Sequence, residues 1–199
     1  MDAAQTIRDC IADVTALRLH RTGDPALGAA VGSVKSLQAR RFRGTYADLM
    51  GSPAFGPAAQ FFLEELYSDT DYTDRDLQFG RIAGTLQTMF PQPVVNTAVA
   101  LAVLHAQTEG LDQDMGRAWL LHEADAVNVA VRYTAAWRTV GQRHARQQQL
   151  QRVLAMGNDL ARLTRTPGLR MMLRMMRGPA NAAGMGALQK FLEAGFDTF

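Results

Sequence analysis

Six carboxylates, Glu64, Glu65, Asp69, Asp71, Asp74 and Asp76, stand beside Arg75 and Arg81 inside residues 55–91, a stretch that also holds five of the chain's nine phenylalanines. Neighbouring carboxylates can divide general acid and base work between them when burial raises one pKa and leaves another low. A buried carboxylate otherwise requires a cation, because an unpaired buried charge is too costly. With Arg75 and Arg81 at hand, the block predicts an ion-pair network that holds a loop between two helices. Glu65, four residues after Phe61 and one before Leu66, is the member the sequence sets among apolar neighbours.

Metal and nucleophile chemistry have less to build on. The four histidines are His20, His105, His122 and His144, and no Glu-x-x-His motif of the di-iron kind occurs. His105 and Glu109, four apart, could share a helix face as a ligand pair, with His122 and Glu123 following. The simpler reading makes His105 a core-edge histidine bonded to a neighbour. A single axial histidine for haem requires no spacing motif. A pocket between helices near Tyr67, Asp76, His105 and His122, for haem or another hydrophobic ligand, is therefore the alternative reading, and the cofactor stays open. There is no Gly-x-Ser-x-Gly elbow, no phosphate loop and no cysteine with a persuasive histidine partner. Cys10 sits at helical spacing with Ile7, Ile11 and Val14 and reads as a small core residue. No catalytic residue or metal ligand is assigned, and the reading leans away from an enzyme.

Charge is distributed unevenly. Residues 1–130 carry a net −6 and residues 131–199 a net +8, which the overall +2 conceals. Either the halves face each other within the fold or a dimer, or the basic half meets an anionic partner. Within it, Arg170, Arg174 and Arg177 fall on one helix face, with Met171, Met172, Leu173, Met175 and Met176 around the rest. Such a surface suits an amphipathic protein partner or peripheral contact with an anionic membrane; an ordinary core helix with one wet side looks the same. Nucleic acid is disfavoured, because Tyr133, Trp137, Phe191 and Phe196 occupy core-like positions and no recognition module emerges. The polar, acidic N-terminus, the single cysteine and the lack of a long apolar run predict a cytoplasmic protein without a membrane span.

The elements that must position these residues are helices. Asp2 caps a first helix to about Arg21, and Asp24-Pro25 starts a second to about Phe42. Thr45 is expected to cap a short turn, Pro57 to open a helix whose dry side is Phe61, Phe62, Leu66 and Tyr67, and Thr73 with Asp76 to form a capping box. Leu77, Ile82, Leu86, Met89 and Phe90 mark the next apolar face. A buried helix over residues 94–109 is expected to stop at Gly110, with Asp112 capping a segment that breaks near residues 122–125. After a bend at Gly141, a stripe of Leu150, Val153, Leu154, Gly157, Leu160 and Leu163 follows. Thr166-Pro167-Gly168 breaks it, and two helices ending at Gly195 complete the chain. No sustained period-two alternation appears. The expectation is one compact all-α domain, residues 1–199, bundle-like, of about eight to ten helices.

The segments FGPAAQFFLEELY, DYTDRDLQFGRI and RTPGLRMMLRMMRGPANAAGMGALQKFLEAGF make the chain resemble an uncharacterised all-helical proteobacterial family with the pattern FFLxxLYGxxDxxxRDxQFxRI. Ser68 stands at the usual glycine. The resemblance implies a shared helical fold and no assigned activity. Taken together, the leading expectation is a binding protein whose Arg-rich C-terminal half engages an anionic ligand or partner, a protein or a second copy.

Overall fold

The computed structural model describes residues 2–66, 70–122 and 128–199. The first helix, α1 (Ala3–Gly23), begins where the Asp2 side chain accepts hydrogen bonds from the amides of Ala4 and Gln5, and α2 (Pro25–Thr45) begins at Asp24 in the same way, with proline in the first turn. After the short α3 (Ala47–Met50), α4 (Gly56–Phe61) runs into a π-helical turn over Phe62–Leu66. Then come α5 (Thr73–Met89), α6 (Gln92–Leu121), α7 (Val129–Val140) and α8 (Arg143–Leu163). The chain closes with α9 (Leu169–Met175), α10 (Arg177–Ala182) and α11 (Gly186–Thr198). No strand occurs among the described residues, and the helices pack into a compact all-α domain.

Helix α6 is the axis. One apolar cluster joins Ile7 and Ile11 of α1, Phe79, Ile82, Ala83 and Leu86 of α5, Ala102 of α6 and Leu188 of α11, with Cys10 packed at its edge. A second joins Ala30 and Val34 of α2, Met115, Ala118 and Trp119 of α6, and Tyr133 and Ala136 of α7. Gly116 lets α2 approach closely, since a Cβ there would lie 2.4 Å from Val31 Cγ2. Gly110 does not end this helix, contrary to expectation: the apolar contacts on both sides of it outweigh the roughly 1 kcal/mol that a mid-helix glycine costs.

Other expectations are corrected. Tyr46, not Thr45, precedes α3. Asp76 does not reach back to Thr73; Asp71 takes that part, accepting from the Thr73 amide at 2.9 Å and its hydroxyl at 2.6 Å. Leu63, unassigned from sequence, is buried, because the π turn rotates it inward. Leu77, Met89, Leu150 and Leu154 are exposed, and Asp112 is buried inside α6 rather than capping it. Gly195 lies within α11, against the ring of Phe61. Gly141, at φ 65°, makes the foreseen bend. The two segments expected after the proline break are three, divided again where Gly184 adopts φ 69°.

Candidate functional site

The acidic block is a junction. Asp76 is buried at the start of α5, and Arg18 of α1 donates from Nη2 to its Oδ2 at 2.7 Å and from Nη1 to Thr73 Oγ1 at 3.3 Å. His105 Nε2 of α6 lies 2.8 Å from the same Oδ2, and Arg75 Nε lies 3.5 Å from Oδ1. Burial opposes the charge of Asp76, but the His105 hydrogen bond and the charges of Arg75 and Arg18 outweigh it and hold its pKa below the ordinary value. Against an ionised carboxylate, His105 Nε2–H is the donor. The Arg75 guanidinium is sandwiched between the rings of Tyr72, 3.9 Å away, and Phe191 of α11, 4.6 Å away, and donates from Nη1 to the Glu65 carbonyl at 2.9 Å. Arg81, the other expected counter-ion, turns instead toward the Gly184 carbonyl, 3.5 Å away.

The same block seats the C-terminus. Gln78 Oε1 accepts from the first-turn amide of Leu188 at 2.8 Å, and the Phe61 ring packs against Phe191 and Phe199, each with ring centres 5.8 Å away. Phe61 and Gln78 thus fit α4 and α5 to α11, and Asp76, the buried carboxylate of the block, is tied by two arginines and a histidine.

A second junction lies farther along α6. Glu109 accepts from Arg21 Nη2 and from Lys35 Nζ, both at 2.6 Å, and Arg21 Nε also donates to Gln113 Oε1 at 3.2 Å. Burial would raise the Glu109 pKa; Lys35 and Arg21 pull it down to about 2. Asp112 is pushed up to about 6, first by burial and further by the charge of Glu109, against the pull of Lys35 and Arg146. Sequence reasoning missed Arg18, Arg21 and Lys35. The signal was present: Ile7, Ile11 and Val14 continue at helical spacing into Arg18 and Arg21, so the dry stripe of α1 turns cationic opposite His105 and Glu109.

Of the residues of the alternative pocket, Asp76 and His105 meet at 2.8 Å, but His122 does not join them. His105 and His122 are separated by 17 residues along α6, about 25 Å at helical rise. His122 Nε2 pairs with Thr139 Oγ1 at 2.8 Å. Tyr67 lies outside the described residues. Two open grooves flank α1. One is lined by Asp13, Leu17, His20, Gln107 and Gln113, the other by Ile11, Ala12, Leu19, Leu77 and Arg81, and His105 lines neither. Among the described residues no three His, Cys, Asp or Glu side chains gather as metal ligands, and no helix is long and apolar enough to cross a membrane.

In the basic half, Arg170 pairs with Asp197, and Arg177 Nε donates to Glu193 at 2.9 Å, so two of the three expected anion-binding arginines already hold carboxylates of α11. Among the described residues Arg174 makes no ion pair, but it helps Arg177 lower the Glu193 pKa. Met171 and Met175 beside them are exposed. Helix α8 rests on α6 largely through polar bonds: Gln107 Nε2 donates to the Ala145 carbonyl at 2.9 Å, Arg152 Nη1 to Gln107 Oε1 at 2.6 Å and Arg146 Nη2 to the Leu111 carbonyl at 3.2 Å. Of its 21 residues only Met156 and Leu163 are buried.

Among the described residues every ion pair stays within its own half of the chain; none joins residues 1–130 to residues 131–199. Arg138, Arg143 and Arg165 have no carboxylate of the described residues within ion-pair distance. None of the curated proteins and none of the solved structures matches the chain. A family model does, over residues 17–199, and the chain therefore belongs to the family described as a domain of unknown function, DUF8198.

Proposed function

We propose that this is a binding protein whose basic C-terminal half engages an acidic protein partner. The observation that supports this reading is the segregation of ion pairs: among the described residues none joins the acidic half to the basic one, so the excess of arginine over carboxylate after residue 130 is not neutralised across the fold, and Arg138, Arg143 and Arg165 are exposed. Exposed Trp137, Leu150, Leu154, Met171 and Met175 lie in the same half, so the surface offers apolar contact beside positive charge. The seat is shifted from the one read in the sequence, because Arg170 and Arg177 are engaged by Asp197 and Glu193.

Retention on immobilised poly-glutamate and on immobilised duplex DNA tests this. The protein should bind the polypeptide in low salt and release as salt rises, and Arg138→Glu/Arg143→Glu/Arg165→Glu should abolish the binding. Equal behaviour of wild type and triple variant would overturn the proposal, and so would tighter, steeply salt-dependent retention on DNA.

A further inference from the structure

The uncovered face of α8 has the form of a helix-docking seat. Leu150, Leu154, Gly157 and Ala161 follow one another at spacings of four, three and four, which places them on one stripe. Leu150 is 58% and Leu154 61% exposed, although both are leucines in the middle of a well-formed helix. A Cβ added at Gly157 would meet nothing within 4 Å, so beside the leucines the stripe has an open notch. Arg143, one heptad before Leu150, extends the stripe at its N-terminal end, and Arg165 follows the helix at the other. The single carboxylate of α8, Asp159, projects from a different side of the helix and is held by Arg162 at 2.7 Å. A second copy of α8 laid on this face would set arginine against arginine. An acidic helix would set carboxylates against Arg143 and Arg165 and large apolar side chains into the notch.

We infer that the Leu150–Leu154–Gly157–Ala161 stripe of α8 is a docking seat for an acidic amphipathic helix of a partner protein. The inference rests on the binding reading above and names its surface and the partner's form. Docking would cover the two leucines, add the second apolar neighbour that α8 lacks, and draw specificity from the arginines at its ends.

The test uses a fluorescein-labelled helical peptide about three heptads long, with leucine at the core positions and glutamate flanking them, titrated into the full-length protein and followed by anisotropy. Wild type should bind with an affinity that falls with salt. Gly157→Phe puts a ring into the notch, where an added Cβ meets nothing within 4 Å, so it should weaken binding at least about tenfold, roughly 1.4 kcal/mol, while the thermal melt is not lowered. Leu150→Asp should do the same. If both variants bind like wild type while the triple arginine variant fails, the seat is elsewhere and the binding reading stands. If the wild type binds poly-glutamate but not the peptide, the helical partner is wrong. If it binds neither, both proposals fall.

Discussion

Asp76 is surrounded by Arg18, Arg75 and His105, so its removal leaves three cationic or donor groups facing an uncharged site. Asp76→Asn keeps the shape but not the charge, and breaking a buried network of this kind costs about 3 kcal/mol or more; urea unfolding should show that loss, and a variant as stable as wild type would mean that the carboxylate is held for some purpose other than folding. Asp112 makes the opposite prediction. Its folded pKa, near 6, stands above the ordinary 3.8, so the stability it contributes is present below about pH 4 and is lost as pH rises through 6. Glu109, depressed to about 2, contributes stability that is already present above pH 4.5 and so adds no slope in that window. Asp112→Asn should therefore match wild type near pH 4 and exceed it by about 3 kcal/mol above pH 6. A difference that does not change with pH would show that Asp112 stays ionised throughout.

At the scale of helices, two glycines separate what packing demands from what it leaves free. Gly116→Ala should drive α2 off α6 and cost about 1–3 kcal/mol in thermal unfolding, whereas Gly157→Ala should stabilise the free chain by up to about 1 kcal/mol, since the helix gains and nothing is touched. A neutral Gly116→Ala would mean that the contact between α2 and α6 is looser than its geometry. Helix existence was legible in the sequence because caps and breakers act locally: Asp2, Asp24-Pro25, Gly141 and Thr166-Pro167-Gly168 fall where chain direction changes. What could not be read was which helix face meets another helix. Leu150 and Leu154 form a clean stripe that nothing covers, and Gly110 reads as a stop only until α6 is seen packed on both sides of it. The partnership of Asp76 and His105 spans 29 positions and no local rule reports it, yet the arginines continuing the dry stripe of α1 were a readable sign that buried carboxylates lay opposite.

For the molecule as a whole, stability and charge follow the same division. The clusters around α6 hold α1, α2, α5, α7 and α11 with buried apolar side chains and two sealed ionic junctions, while α8 is attached through amides and guanidinium groups that water could replace. Helices with few buried contacts open at lower free energy than the global transition. Native-state hydrogen exchange should therefore find the central amides of α6 protected to nearly the full unfolding free energy and those around Leu150 and Leu154 protected much less. The acidic peptide, at concentrations well above its Kd, should raise protection in α8 and leave α6 unchanged, because ligand binding stabilises the states that bind it. Equal protection of α8 and α6 in the free protein would mean that α8 opens only with the whole fold, and its exposed leucines would then sit on a face too rigidly joined to the core to be a separate unit.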